Sequence, residues 1–194
     1  MITGYAPLLA MLLLTGRPTA ETARFQIIKG DEVIGAITAI CVRSASGVSY
    51  QMNSRSEVSL LWNQVIETAM MARYEGGYLD ACGMTVHVNG SMRDSTHLYH
   101  DSGTGRYYVH PDLRHATQQQ RAWTTARMYF EEPVDVGSIF VESLLEDRTL
   151  RRKEAGRYTL ILPGNTENHY FYKNGVLQEI MVDRPLFDLI FRRI

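Results

Sequence analysis

The chain has 194 residues, enough for one domain with a substantial core, and 45% of them are apolar against 21% charged. A formal net charge of -1 excludes attraction to nucleic acid or to an anionic membrane by charge alone. No stretch is apolar over the roughly 20 residues that a membrane-spanning helix takes.

Residues Tyr5 to Leu14 form an apolar run of the length of a signal-peptide h-region, and Gly16, Arg17 and Pro18 break it. Residues 1–20 are therefore expected to be a secretory signal, with cleavage between 18 and 23 and a mature chain that starts between Thr19 and Arg24. The competing reading is an apolar helix docked on the domain, since no Lys or Arg precedes the run. Residues 24–194 are expected to form a single β-rich domain in the periplasm or outside the cell.

From Arg24 onward, short apolar runs alternate with turn residues, which is the spacing of a hairpin-rich sheet. Arg24 to Lys29 meets the turn Gly30-Asp31, and Glu32 to Arg43 returns. After Ser46-Gly47, Val48, Tyr50 and Met52 alternate with polar residues, so that one face is apolar. Glu57 to Glu75 reads as a strand on its even positions, which include Trp62 and Met70. Leu61, Val65, Ala69 and Met70 would equally line a helix. Gly76-Gly77 turns the chain into Tyr78 to Val88, and Asn89-Gly90 is the strongest short hairpin signal because both turn residues must reach positive φ. Ser91 to Asp101 and Arg106 to His110 follow. The polar stretch Ala116 to Arg121 reads as a loop, and Ala122 to Phe130 as a short helix that ends before Pro133. Hairpins resume with Arg157 to Leu162, His169 to Lys173, a second Asn-Gly at Asn174-Gly175, Val176 to Asp183, and Leu186 to Ile194.

Several of these pieces, in this order, resemble an uncharacterised family of exported bacterial β-proteins, a domain of unknown function. They are Ile28 to Ile37 (IKGDEVIGAI), Val88 to Ser95 (VNGSMRDS), Met128 to Pro133 (MYFEEP) and Tyr170 to Ile180 (YFYKNGVLQEI). The resemblance implies a signal peptide, a curved antiparallel sheet and no known catalytic residues. Patterning and resemblance together predict a mainly-β domain: a strongly curved antiparallel sheet or barrel-like meander of hairpins, with one short helix near 122–130 over its concave side.

No catalytic motif is present. Five of the six His fall between His87 and His115, but His97 and His100 would point to opposite faces of a strand and His115 to a loop, so neither a metal nor another cofactor is expected. Glu131-Glu132 reads as polar residues at a helix end. Cys41 and Cys82 could pair after export, although their apolar surroundings suit free buried thiols better. Arg148, Arg151, Arg152, Lys153 and Arg157 are nearly neutralised by Glu146, Asp147 and Glu154 and read as a solvated hairpin. Two functions remain. One is an exported binding protein that holds a lipid-like, apolar or amphipathic ligand against Tyr50, Met52, Trp62, Met70, Met84 and Val86. The other is a structural or protein-interaction module of the cell envelope with no small-molecule ligand.

Overall fold

The computed structural model describes residues 17–59, 63–110, 114–117, 120–183 and 188–194. They form one sheet of fourteen antiparallel strands. In chain order these are β1 (Thr19–Lys29), β2 (Glu32–Ser44), β3 (Gly47–Ser59), β4 (Asn63–Glu75), β5 (Tyr78–Val88), β6 (Ser91–Asp101), β7 (Arg106–His110), β8 (Arg114–Thr117), β9 (Ser138–Val141), β10 (Glu146–Glu154), β11 (Arg157–Ile161), β12 (Glu167–Lys173), β13 (Val176–Val182) and β14 (Leu189–Arg193). Every neighbour in the sheet is also a neighbour in sequence except at one place, where β1 pairs with β14. The first and last strands thus meet in the middle of the sheet, and its outer strands are β8 and β9.

The hairpins follow from their turn chemistry. Asn89-Gly90 and Asn174-Gly175 adopt φ of 51° and 79°, and of 52° and 77°, the left-handed pair a tight two-residue hairpin requires. Residues 57–75 are not one strand. Val58 pairs with Gln64 and Ser56 with Ile66, so β3 and β4 are the arms of a hairpin. Each pair joins two even or two odd positions, so the even-numbered apolar alternation passes unbroken through the reversal and imitates a longer strand. Trp62 lies outside the described residues.

Two other expectations are corrected. Ala116 and Thr117 belong to β8, as does His115. The helix expected over 122–130 is absent: the stretch holds only a single 3-10 turn, Arg127–Tyr129, flanked by irregular backbone. Tertiary partners for its backbone, described below, replace the intrahelical ladder. The thiols of Cys41 and Cys82 are both buried and free.

The sheet curls strongly. Tyr50 on β3 and Tyr158 on β11 lie six strands apart, roughly 29 Å across a flat sheet at about 4.8 Å per strand. Their hydroxyls nevertheless reach the adjacent carboxylates of Glu131 and Glu132. Bulges at Ile27/Ile28, Arg73/Tyr74, Val86/His87 and Phe171/Tyr172 add local bend and twist. The inner face carries the core, among it Phe25, Ile37, Tyr50, Leu98, Tyr107, Tyr158, Leu160 and Leu177. Burial of each large apolar side chain there contributes about 2 kcal/mol. The outer face carries cross-strand ion pairs such as Arg55–Glu67 and Arg192–Glu179, both at 2.9 Å, each worth about 0.5 kcal/mol at such exposed positions.

Candidate functional site

The concave face is where the sequence places a ligand, and residues 121–137 of the chain itself lie across much of it. This segment connects the two outer strands. At its start it stitches distant parts of the sheet together: the Leu79 N–H on β5 donates to the Arg121 carbonyl at 2.7 Å, and the Phe140 N–H on β9 donates to the Trp123 carbonyl at 3.0 Å. Thr124 and Phe140 form a parallel bridge that covers the free edge of β9. The sheet is not closed by strand pairing, and this segment spans the gap.

Tyrosines on the sheet hold the segment by their hydroxyls. Tyr74 donates to Thr124 Oγ1 at 3.1 Å, Tyr172 to the Met128 carbonyl at 2.6 Å, Tyr158 to Glu132 Oε1 at 2.7 Å and Tyr50 to Glu131 Oε1. Tyr129 is buried with its ring edge-on to Phe25, centroids 5.4 Å apart, and Phe130 lies 6.0 Å from the Tyr50 ring. Burial pushes the phenols of Tyr50 and Tyr74 well above their ordinary value, so they remain protonated donors, and it raises that of Tyr129 likewise.

Three carboxylates anchor the segment. Burial acts to raise the pKa of Glu131, but donors from Tyr50, Arg127 and Arg43 outweigh it and hold the carboxyl below its usual range. Arg127 reaches it at 2.6 Å and Arg43 at 3.2 Å. Glu132 takes the Tyr158 hydroxyl. These two are half-buried anchors on opposite walls, and not the polar residues of a helix end. Glu142 is 0% exposed. It accepts from the Ala126 N–H at 2.9 Å, from the Thr125 N–H at 3.2 Å and from the Thr125 hydroxyl. Burial dominates here and raises its pKa in spite of those donors.

The ligand-lining candidates divide accordingly. Tyr50, Met52 and Met70 point inward and are buried in the core, and the Thr125 hydroxyl lies 3.6 Å from the Met70 Sδ. Met84 packs against that core half-buried, and Val86, further along β5, is also half-buried. Sequence reasoning missed Glu142, whose signal is a lone acid inside the apolar run Ile139 to Leu145. It missed the role of the inward Tyr hydroxyls as well, since each needs an acceptor that the strands themselves do not supply.

Other candidate chemistry is dispersed. His97 faces outward, whereas His100 faces inward with its ring 4.9 Å from that of Tyr107. The side chains of His110 and His115 lie outside the described residues. Among the described residues no group of three or more His, Cys, Asp or Glu is placed to hold a metal ion. Burial pushes both thiols up, away from the thiolate form a nucleophile needs. No described helix is long and apolar enough to cross a membrane.

An open antiparallel sheet curled around a segment of its own chain defines a β-barrel-like protein. The chain belongs to a family described as a domain of unknown function, DUF6134, whose model matches residues 25–194. No curated protein matches it. Among solved structures it is similar to a β-barrel-like protein of domain of unknown function DUF1849 from Brucella abortus. The TM-score is 0.54 and the identity 11%, over 89% of this chain and 94% of that one, a likeness of fold alone.

Proposed function

We propose that this protein is an exported, non-catalytic interaction module of the cell envelope that works through its outer surface. The observation that supports this is the occupancy of the concavity by residues 121–137, anchored by Glu131, Glu132 and Glu142. An apolar or amphipathic ligand held against Tyr50, Met52 and Met70 would have to displace Tyr129 and Phe130 and break those anchors. Native mass spectrometry and lipid extraction on protein purified from its own host test this reading. The expected mass is that of the polypeptide alone. A stoichiometric lipid, lost when Met70 or Tyr50 is replaced, would overturn it in favour of an apolar carrier.

Export rests on the apolar run Tyr5 to Leu14 and the break that follows it. Thr19 to Ala23 pair with Arg43 to Ala39 on β2, and Ala23 is buried. A cut after Ala23 would remove five paired positions from β1, so the mature protein is expected to begin at the Thr19 end of the window 19–24. N-terminal sequencing of protein from the envelope fraction checks this. Full-length chain confined to the cytoplasm would refute export.

A further inference from the structure

The register fixes what stands on the outer face of β3 to β6. Asn53, Ala69, Thr85 and Ser95 form one cross-strand row, and Gln51, Met71, Gly83 and His97 form the next. These two rows carry no carboxylate, Lys or Arg. They lie between the ion pair Arg55–Glu67 on one side and Arg73–Asp80 on the other. Between the charged rows the surface sinks into a trough of about 320 Å³ with Ala69, Met71 and Gly83 on its floor. The hollow at Gly83 is built into the sheet, because a Cβ there would come 2.6 Å from the Thr96 carbonyl oxygen. A side chain at this position is excluded by the close approach of β6.

The rim offers two primary amides, two hydroxyls and an imidazole. Among the described residues none of these five side chains has an intramolecular hydrogen-bond partner. One step along β6 from His97, in the row that holds Arg73, the surface turns aromatic: Tyr99 lies 6.4 Å from the His97 ring and stacks on Tyr108 at 5.6 Å, with Tyr99 37% exposed.

We infer that this trough is a binding site for a neutral saccharide. The argument is chemical. Amide groups present a donor and an acceptor side by side, which matches adjacent sugar hydroxyls, and Ser, Thr and His can take either role. An uncharged lining selects against phosphate and carboxylate ligands, which would leave the flanking Arg–carboxylate pairs for no better partner. A small apolar floor beside an aromatic surface suits the C–H face of a pyranose ring. The volume is at the lower end of the roughly 300–1,000 Å³ of ligand sites, enough for one or two sugar units. A peptide is less well served, because β3 to β6 have their backbone groups paired within the sheet and offer no edge to extend.

This inference rests on the reading that the outer surface is the working one. The test is a titration of the ¹⁵N-labelled mature protein with maltotriose, cellotriose and chitotriose at millimolar concentrations. Saturable shifts confined to the amides of the two rows are expected with at least one of them. Ala69→Trp, which fills the trough, and Asn53→Ala, which removes one rim amide, should each weaken binding about tenfold, the equivalent of one lost hydrogen bond or a blocked contact. Both positions are exposed, so the variants keep the fold, and their circular dichroism and melting curves verify it. No shift with any of the three sugars, or shifts that neither variant weakens, would overturn the assignment. So would an uncharged hydrophilic peptide that moves the same amides more strongly, which would give the trough to a protein partner. A lipid-free native mass together with absent sugar shifts would refute only the saccharide, and leave the interaction module standing.

Discussion

Replacing Tyr129 by Ala is expected to destabilise the protein by about 4 kcal/mol, the range for emptying a buried aromatic site. The ring lies inside the curled sheet against Phe25, in a core assembled from strands on both sides of the β1–β14 pairing, so the neighbours have little freedom to collapse into the space. For a chain of this length the melting temperature should fall by roughly 8–16 °C. The same variant should take up a fluorescent apolar probe that the parent excludes, because its loss uncovers the inner face. Thermal unfolding and probe titration measure both. A loss below about 1 kcal/mol with no probe uptake would mean that the segment is not part of the core.

The second large effect is expected at Glu142. Its replacement by Ala leaves the N–H groups of Thr125 and Ala126 and the Thr125 hydroxyl without their acceptor in a buried site, at a cost of about 3 kcal/mol. The effect carries a pH signature. Burial raises the Glu142 pKa above the ordinary 4.5 of an unfolded chain. Its contribution is therefore full below that ordinary value and declines as pH rises through the raised folded value. The difference between parent and Glu142→Ala should be greatest in mild acid and shrink towards alkaline pH. Glu131, held below its ordinary value, acts in the opposite sense, since its contribution is present above that value and is lost as pH falls through the depressed one. Because parent and variant share Glu131, its slope cancels in the difference. Chemical denaturation at a series of pH values reads this out, and a difference that grows with pH would contradict a carboxyl whose burial outweighs its donors.

The hairpins were legible because their causes are local. Asn-Gly dipeptides dictate their turns, and alternation around Tyr50 and Met52 dictates a half-buried strand. The β3–β4 reversal was hidden by its own register, which keeps even positions inward on both arms. Residues 121–137 were illegible for a different reason. Ala122 to Phe130 has the apolar content of a helix, but its backbone donors are met by a carboxylate some 17 residues downstream and by strand carbonyls and edges far away in sequence. No window as short as the helix it imitates contains both halves of those contacts. The outer trough was equally hidden, because it consists of rows drawn from four strands whose register the sequence does not print. Of the ligand-lining candidates, Tyr50, Met52 and Met70 were rightly placed on the inner face by alternation, whereas the segment packed against them could not be foreseen.

The pairing of β1 with β14 also sets a clock on folding. Phe25 faces Arg193 and Ile28 faces Ile190, contacts that span nearly the whole chain. Every other strand pair in the sheet joins consecutive elements and can form as soon as the second arm is available. The two halves, β1 to β8 and β9 to β14, are thus meanders of low contact order joined by one seam of very high contact order. Until the last residues arrive, β1 presents an unpaired edge, the kind of template on which aggregation starts. Export as proposed, N-terminus first, would hold that edge open for the whole of the transit.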